Sequence, residues 1–158
     1  MAHSAGPFRR FFIAPAWRAM SLDGKRAVYL RLARYITDTR RLRDEILGAD
    51  EFADPAWDML LHLYIAMLEG QERSVGDTCA GGRVPLTTGM RWINELADRE
   101  LVEKVFDRND RRRIFVRLTT AHLQLMDQFF EQLAGMGEEL FAPSGVRDQG
   151  ASDPGKLR

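Results

Sequence analysis

One segment constrains the fold more than any other: residues 84–119 join a short helix pattern, VPLTTGMRWINELADRE, to an arginine-rich hairpin pattern, LVEKVFDRNDRRRIFVRLT. The runs at 101–106 and 112–118 alternate β-branched and aromatic residues with polar ones, which is typical of strands. The DRNDR between them has turn chemistry. A helix followed by such a hairpin can hold duplex DNA, because the turn concentrates four arginines within six positions: Arg108, Arg111, Arg112 and Arg113.

Helical periodicity accounts for the chain before this segment. From Lys25, apolar residues recur at helical spacing as far as Gly48, which predicts a long amphipathic helix over 25–47. Asp54 and Pro55 form a strong helix start, because the carboxylate can accept from free amides and proline fits the first helical position. This second helix is expected to continue to a glycine at position 70.

Two short helices are expected next. Ser74 and Asp77 form a variant of the capping box, which predicts a short helix over 75–82. Pro85 begins the following helix, which is expected to reach about residue 99. The two helices have the spacing of a helix-turn-helix.

The complete order is helix, helix, short helix, helix, hairpin, helix. The last helix, over 120–141, can be capped by a threonine at 119 or 120 and carries an apolar stripe. This order predicts a mainly α fold with a small β-hairpin wing, a winged helix-turn-helix over 23–142 with extra helices on both flanks. Residues 1–22 are expected to form an arm, and 143–158 a disordered tail, because that tail lacks apolar content.

The charge distribution narrows the class of protein. The 23 basic and 23 acidic residues cancel, which argues against a protein that coats nucleic acid over its whole surface. Residues 83–117, however, hold 9 basic and 6 acidic side chains, so positive charge is concentrated locally. No apolar run approaches the roughly 18 residues of a membrane span, and no signal peptide is evident, so a cytoplasmic location is expected.

Enzyme and metal chemistry have no support in the sequence. The single cysteine, Cys79, excludes an intrachain disulfide and a cysteine-rich zinc site. The histidines at 3, 62 and 122 are too scattered to predict a metal cluster. There is no phosphate-binding glycine loop, nucleophile elbow or metal-ligand spacing. We therefore expect neither an enzyme nor a cofactor.

The helix that begins at Pro85 has two contrasting faces. One is apolar, with Ile93, Leu96 and Ala97 continuing back to Gly89 and Met90. The opposite face is polar and carries threonines and an arginine. Threonine can form a hydrogen bond with a phosphate or contact a thymine methyl, and arginine can bind guanine or phosphate. Any solvated helix face can have this composition, so the helix alone leaves both interpretations open. The residues of the polar face are Thr87, Thr88, Arg91, Asn94 and Glu95.

The wing adds the stronger signal. Its arginines repel one another unless they meet a negative partner, and a narrow minor groove has the negative potential to accept one. The alternative is a hairpin whose arginines pair with Asp107 and Asp110. Counted with the preceding helix, the wing favours DNA, and the predicted contact residues are Pro85, Thr87, Thr88, Arg91, Asn94, Arg108, Asp110, Arg111, Arg112 and Arg113.

Residues 56–134 resemble the MarR-type (multiple antibiotic resistance regulator) winged-helix transcription factors. The resemblance depends on VPLTTGMRWINELADRELVEK, similar to the family's recognition helix and next strand, and on DRNDRRRIFVRLTTA, similar to its wing. It implies that Asp110 orients a wing arginine, that Arg112 reaches the minor groove, and that Thr87, Thr88 and Arg91 occupy the major groove. It also implies that helices 25–47 and 120–141 are dimerisation helices, which pair across a two-fold axis into a homodimer.

The chain departs from the family pattern at three positions. Glu100 and His122 stand where the family commonly has glycine, and Gly89 replaces a bulky core residue. Gly89 is therefore expected to leave a space in the core, which the Trp92 side chain can fill.

Other candidate sites have competing interpretations. Cys79 is either a redox sensor or a small buried hydrophobe, and the second is favoured. Trp57, Met59, His62, Tyr64 and Met67 either line a pocket for a small aromatic effector, which the resemblance implies, or pack in the core. The aromatic arm, FRRFFIAPAWR, either docks on protein or reaches DNA through its arginines at 9, 10 and 18.

The functional hypothesis is a homodimeric, sequence-specific DNA-binding transcriptional regulator, with repression as the expected sense. Its partners would be double-stranded DNA and a second copy of the chain. The alternative is a winged-helix module that binds an acidic protein partner, which the zero net charge and the aromatic arm keep open.

Overall fold

The computed structural model describes residues 19–48, 52–108, 110 and 112–141, without the side chains of 137–141. The predicted arm up to residue 18, the predicted tail and Arg111 lie outside the described residues. The predicted fold class is confirmed, because the described part is mainly helical with one small antiparallel sheet. Its elements are α1 (Leu22–Leu47), α2 (Pro55–Leu68), β1 (Arg73–Ser74), α3 (Val75–Gly81), α4 (Leu86–Asp98), β2 (Val102–Phe106), β3 (Ile114–Leu118) and α5 (Thr120–Phe141).

The first two helices begin and end where local chemistry allows. The Ser21 hydroxyl accepts from the amide of Gly24 at 3.2 Å, so α1 begins three residues before the predicted start. Gly48, at φ 97°, ends the helix in a backbone conformation that favours glycine. Asp54 caps α2 as predicted, with its Oδ1 accepting from the amide of Trp57 at 3.2 Å. Neither these helices nor the others described are both long and apolar enough to cross a membrane.

The short helix α3 has the predicted capping box. The Ser74 hydroxyl accepts from the amide of Asp77 at 3.2 Å, and the Asp77 carboxylate accepts from the amide of Ser74 at 3.0 Å. These two bonds satisfy donors that the first turn of a helix leaves free. The cap fixes the chain direction between the sheet and the helix-turn-helix.

The predicted hairpin is present as β2 and β3, and a third strand, β1, which the sequence did not predict, extends the sheet. Strand β1 pairs antiparallel with β3, Arg73 opposite Val116 and Ser74 opposite Phe115, which gives the order β1-β3-β2. A two-residue strand has no alternation that a sequence pattern could reveal. Its position is set by the α2–α3 connection, which runs beside β3 and ties the wing to the start of α3.

A single cluster of buried side chains joins the long helices to the winged lobe. At its centre the ring of Tyr64 stacks on Phe130, with centroids 4.9 Å apart and planes 3° from parallel. The Tyr64 hydroxyl donates to Asp127 at 2.7 Å, so its polar end is satisfied. The predicted apolar stripe of α5 is confirmed, since Met126 is buried and the leucines at 123 and 133 pack against the cluster.

Candidate nucleic-acid interface

Helix α4 has the amphipathic arrangement expected of it, with one correction. Gly89, Ile93 and Leu96 are buried. Met90 was predicted on the same face but is 48% exposed. Successive helix residues are about 100° apart, so residue 90 lies beside the stripe that residues 89, 93 and 96 define. On the other face Thr87, Arg91, Asn94 and Glu95 are exposed and Thr88 is half-buried.

The N-terminus of α4 is open. Pro85 is the residue before the helix, and no side chain caps the first turn. That turn contains no acidic residue, so nothing in it opposes the positive end of the helix dipole. Free amides and this dipole together favour a phosphate group. The end of the helix that carries Thr87 and Thr88 can therefore bind a phosphate.

Lys104 joins α4 to the sheet, and sequence reasoning missed it. Its Nζ donates to the Asn94 side-chain oxygen at 2.8 Å. Lys104 lies opposite Val116 in the register, and Val116 is buried, so the lysine is on the side of the sheet that faces the helices. A lysine on that side of β2 was the signal available in the sequence. Asn94, predicted to contact DNA, is thus engaged within the protein.

Backbone hydrogen bonds hold the wing turn. The amide of Arg112 donates to the Asp110 carboxylate at 3.0 Å, and the amide of Arg113 donates to the Asp110 carbonyl at 2.9 Å. The amide of Asp107 donates to the Arg113 carbonyl at 2.9 Å. Asp110 was expected to orient a wing arginine, and among the described residues its carboxylate contacts the backbone amide of Arg112.

The described wing arginines have exposed charges. Arg108, Arg112 and Arg113 are exposed, and within the described ranges no ion pair joins any of them to a carboxylate. The Arg113 guanidinium lies over the ring of Phe115, 4.9 Å from its centroid. Arg117, farther along β3, is paired with Glu103 at 2.8 Å. Unpaired positive charge is therefore found at the tip of the wing, and the alternative of internal pairing gains no support for these three residues.

A buried ion pair connects α1 to the turn before α4, and sequence reasoning could not have found it. The Asp44 carboxylate is buried and accepts from Arg43 at 2.6 Å and from Arg83 at 2.5 Å. The bond from Arg43, and then that from Arg83, lowers the pKa of Asp44 despite its burial. Arg83 has a left-handed backbone with φ 57°. Arg83 lies three residues before α4. The ion pair therefore fixes the position of the start of α4 relative to α1.

Gly89 does not leave the space that the sequence predicted. A Cβ at this position would lie 2.4 Å from the Cys79 sulfur and 2.7 Å from its Cβ. Helix α3 therefore fills the volume by close approach, and Trp92 is not needed to fill it. Cys79 is 3% exposed, and burial raises the pKa of its thiol. Both observations favour the buried hydrophobe over a reactive thiolate.

The residues considered for an aromatic effector pocket do not form one cavity. Met59 and Tyr64 are fully buried in the core, and Trp57 packs edge-on against Phe129 with centroids 5.5 Å apart. His62 lines a cavity, but most of the other residues that line this cavity are charged. In the described part of the chain, no group of three histidine, cysteine or acidic side chains comes together as a metal site would require.

Solved structures of two bacterial proteins are similar to this chain. MepR of S. aureus in complex with DNA matches with a TM-score of 0.49 and 20% identity, over 70% of this chain and 88% of that one. MepR bound to ethidium bromide matches with 0.48 and 21%, over 70% and 78%. A mutant of MarR from E. coli matches with 0.45 and 21%, over 70% and 79%. No family model matches the sequence, and a comparison with curated proteins finds no match.

Proposed function

We propose that this chain is a MarR-type, sequence-specific DNA-binding transcriptional regulator that acts as a homodimer. In this proposal α4 enters the major groove, and the wing turn lies at the adjacent minor groove. The observation that carries the proposal is the exposed charge of Arg91, Arg108 and Arg112, which no ion pair joins to a carboxylate within the described residues, together with the uncapped N-terminus of α4. An exposed cation without a carboxylate partner is available for phosphate or base edges.

The contact between Lys104 and Asn94 supports a common binding surface. The 2.8 Å bond ties the exposed face of α4 to β2, and β2 leads directly into the wing turn. The helix and the wing are therefore held in one orientation before DNA arrives, which reduces the entropy lost on binding. Thr87 and Thr88 stand at the open end of the same helix.

The dimer proposal depends on exposed apolar side chains on α1 and α5. On α1, Tyr35 is 66% and Ile46 is 70% exposed, and on α5 Leu125 is 56% exposed. The two helices pack together, with Lys25 and Glu131 paired at 2.8 Å. Large apolar side chains that are exposed on two such helices are typical of an interface. A second copy would cover them and place two recognition helices for half-sites about 34 Å apart.

Fluorescence anisotropy with labelled fragments from upstream of the chain's own gene tests the proposal. Arg91→Ala and Arg112→Ala should each weaken specific binding by roughly tenfold or more, because a lost contact costs about 1–3 kcal/mol. In a variant that lost a phosphate contact, the slope of the logarithm of the binding constant against the logarithm of the salt concentration should also be shallower by about one unit. The matched control is Arg117→Ala, which removes the same charge from a side chain already paired with Glu103.

The outcomes separate the proposal from its alternative. Unchanged affinity in both variants would show that the contact assignment is wrong. Weak binding that is the same for every fragment would favour the module that binds an acidic protein. The proposed sense, repression, is tested by a reporter whose promoter carries the bound fragment, and repression predicts higher expression without the protein.

A further inference from the structure

Two exposed apolar side chains on α4 have no role in the core. Leu86 is 56% and Met90 is 48% exposed. Within the described part of the chain, neither belongs to the buried cluster or to the apolar side chains that pack against it. Single exposed apolar residues are common on protein surfaces, but residues four apart on a helix are neighbours on one side of it. Leu86 and Met90 therefore form a small apolar strip beside the buried face of the helix.

The apolar strip borders the polar face of α4. Successive helix residues are about 100° apart, so Leu86, Met90 and Asn94 follow one another in a row at steps of about 40°. At the far end of this row the Asn94 side-chain oxygen accepts from Lys104, which engages that end within the protein. Arg91, the residue after Met90, is exposed on the polar face. A molecule that binds the polar face at Arg91 is therefore within reach of the strip.

The charge around the strip favours a polyanion. Residues 85–94, PLTTGMRWIN, contain one arginine and no carboxylate. The first turn of α4 has no side-chain cap and no acidic residue, so the positive end of the helix dipole is open. Duplex DNA would be attracted to this end of the helix, whereas a partner with a cationic surface would be repelled.

We propose that Leu86 and Met90 recognise thymine through its 5-methyl group, an inference that rests on the proposed function and deepens it. In that function α4 enters the major groove, where the N-terminal residues of such a helix meet base edges. Every base pair presents hydrogen-bonding groups there, and an A·T pair also presents the thymine 5-methyl. An apolar side chain cannot use the hydrogen-bonding groups, so it distinguishes bases by burying this methyl.

The spacing of the strip predicts how the recognised thymines are arranged. Four helix residues span about 6 Å along the helix axis, and stacked base pairs are about 3.4 Å apart. The thymines that Leu86 and Met90 contact therefore lie within about two base steps of each other in each half-site.

Fluorescence anisotropy tests this inference, because deoxyuridine lacks only the 5-methyl of thymidine. The probe is the upstream fragment that the wild type binds most tightly, made once with thymidine and once with deoxyuridine in its place. The wild type should bind the deoxyuridine duplex more weakly, by roughly fourfold for each methyl contacted. The double variant Leu86→Ala/Met90→Ala should lose this penalty. Replacement of single thymidines then locates the sensitive positions.

Two control variants are matched to the double alanine variant. Leu86→Met/Met90→Leu keeps two large apolar side chains on the strip and should keep the penalty. Phe106→Ala shortens a side chain that is 64% exposed in β2 and should also keep it. The wing is proposed to lie at the minor groove, where an A·T pair presents no methyl. Circular dichroism checks that each variant is folded.

The outcomes separate this inference from the proposed function. Specific binding with equal affinity for both duplexes overturns the inference alone. The inference is also overturned if Leu86→Ala/Met90→Ala keeps the whole penalty, or if the penalty is lost in Thr87→Ser, which removes a different methyl from α4, and not in the double variant. Sensitive positions spread over the whole fragment would indicate a change in DNA shape and would overturn it too. If the wild type binds no fragment specifically, the proposed function is refuted, and this inference with it.

Discussion

Replacing Gly89 with alanine tests how the recognition helix is held. The added Cβ would lie 2.4 Å from the Cys79 sulfur, 2.7 Å from its Cβ and 3.2 Å from its Cα. Non-bonded carbon atoms prefer separations of about 3.5–4.0 Å. The third contact is with backbone, so a rotamer change of Cys79 cannot relieve all three. Helices α3 and α4 must move apart, which also displaces the exposed side of α4 that is proposed to contact DNA.

The magnitude follows from two opposing effects. Overpacking a well-filled interior costs about 1–3 kcal/mol, and two contacts below 3.0 Å place Gly89→Ala at the upper end. Alanine is about 1 kcal/mol better than glycine in a helix interior. The expected net loss is therefore about 2 kcal/mol of unfolding free energy, a fall in melting temperature of about 4–8 °C for a chain of this size.

Thermal and urea denaturation at one fixed protein concentration measure this loss. The matched control is Gly76→Ala, in α3, where the new Cβ would meet only the Ser74 hydroxyl at 3.8 Å. This control should unfold at or slightly above the wild-type temperature. Cys79→Gly removes the two nearest atoms, so a double-mutant cycle with Gly89→Ala should give a favourable coupling of at least about 1 kcal/mol.

The reasoning fails if Gly89→Ala is as stable as the wild type while Gly76→Ala behaves as expected. It also fails if Cys79→Ala restores stability as well as Cys79→Gly does, because alanine keeps the Cβ that would lie 2.7 Å away. Reduced operator affinity in a folded Gly89→Ala variant would show that the spacing of α3 and α4 sets the position of the recognition helix.

Three further predictions concern single positions. Glu100 has φ 58°, so Glu100→Gly should raise the unfolding free energy by about 0.5–1 kcal/mol in urea denaturation; a loss would contradict the strain. Asp44→Asn should destabilise the fold at neutral pH. Because the folded pKa of Asp44 is lowered, its contribution to stability is present at pH values above the unfolded pKa, near 3.8, and is lost as the pH falls through the folded pKa. The urea midpoints of the variant and the wild type should therefore differ at neutral pH and converge at acid pH. An equal difference between the midpoints at both pH values would refute this. Ile46→Glu should convert the proposed dimer to a monomer in light scattering. Phe106→Glu should not, although Phe106 is 64% exposed in β2. An Ile46→Glu variant that remained dimeric would place the interface elsewhere.

Helix starts were predictable because the chemistry that determines them is local. The cap of Asp54 on α2 and the reciprocal bonds of Ser74 and Asp77 join residues three positions apart. Such bonds can be read from a short window of sequence. The exposed face of α4 followed in the same way from helical periodicity, apart from Met90 at the edge of the stripe.

What the sequence could not provide depends on distances between elements. Arg83 and Asp44 are 39 positions apart, and no pattern within either segment indicates that they meet. Gly89 shows the same limit, since a sequence reveals a missing side chain but not how closely the next helix approaches. Strand β1 exists only because β3 runs beside it. Each of these features positions the candidate interface instead of forming it.

These positioning contacts bear on how the proposed dimer would read DNA. The entry of α4 is fixed by Arg83, which holds the buried Asp44 of α1, and its middle is fixed by Gly89 against Cys79. In the proposed dimer α1 belongs to the two-fold interface, so Asp44 connects the recognition helix to the element that sets half-site spacing.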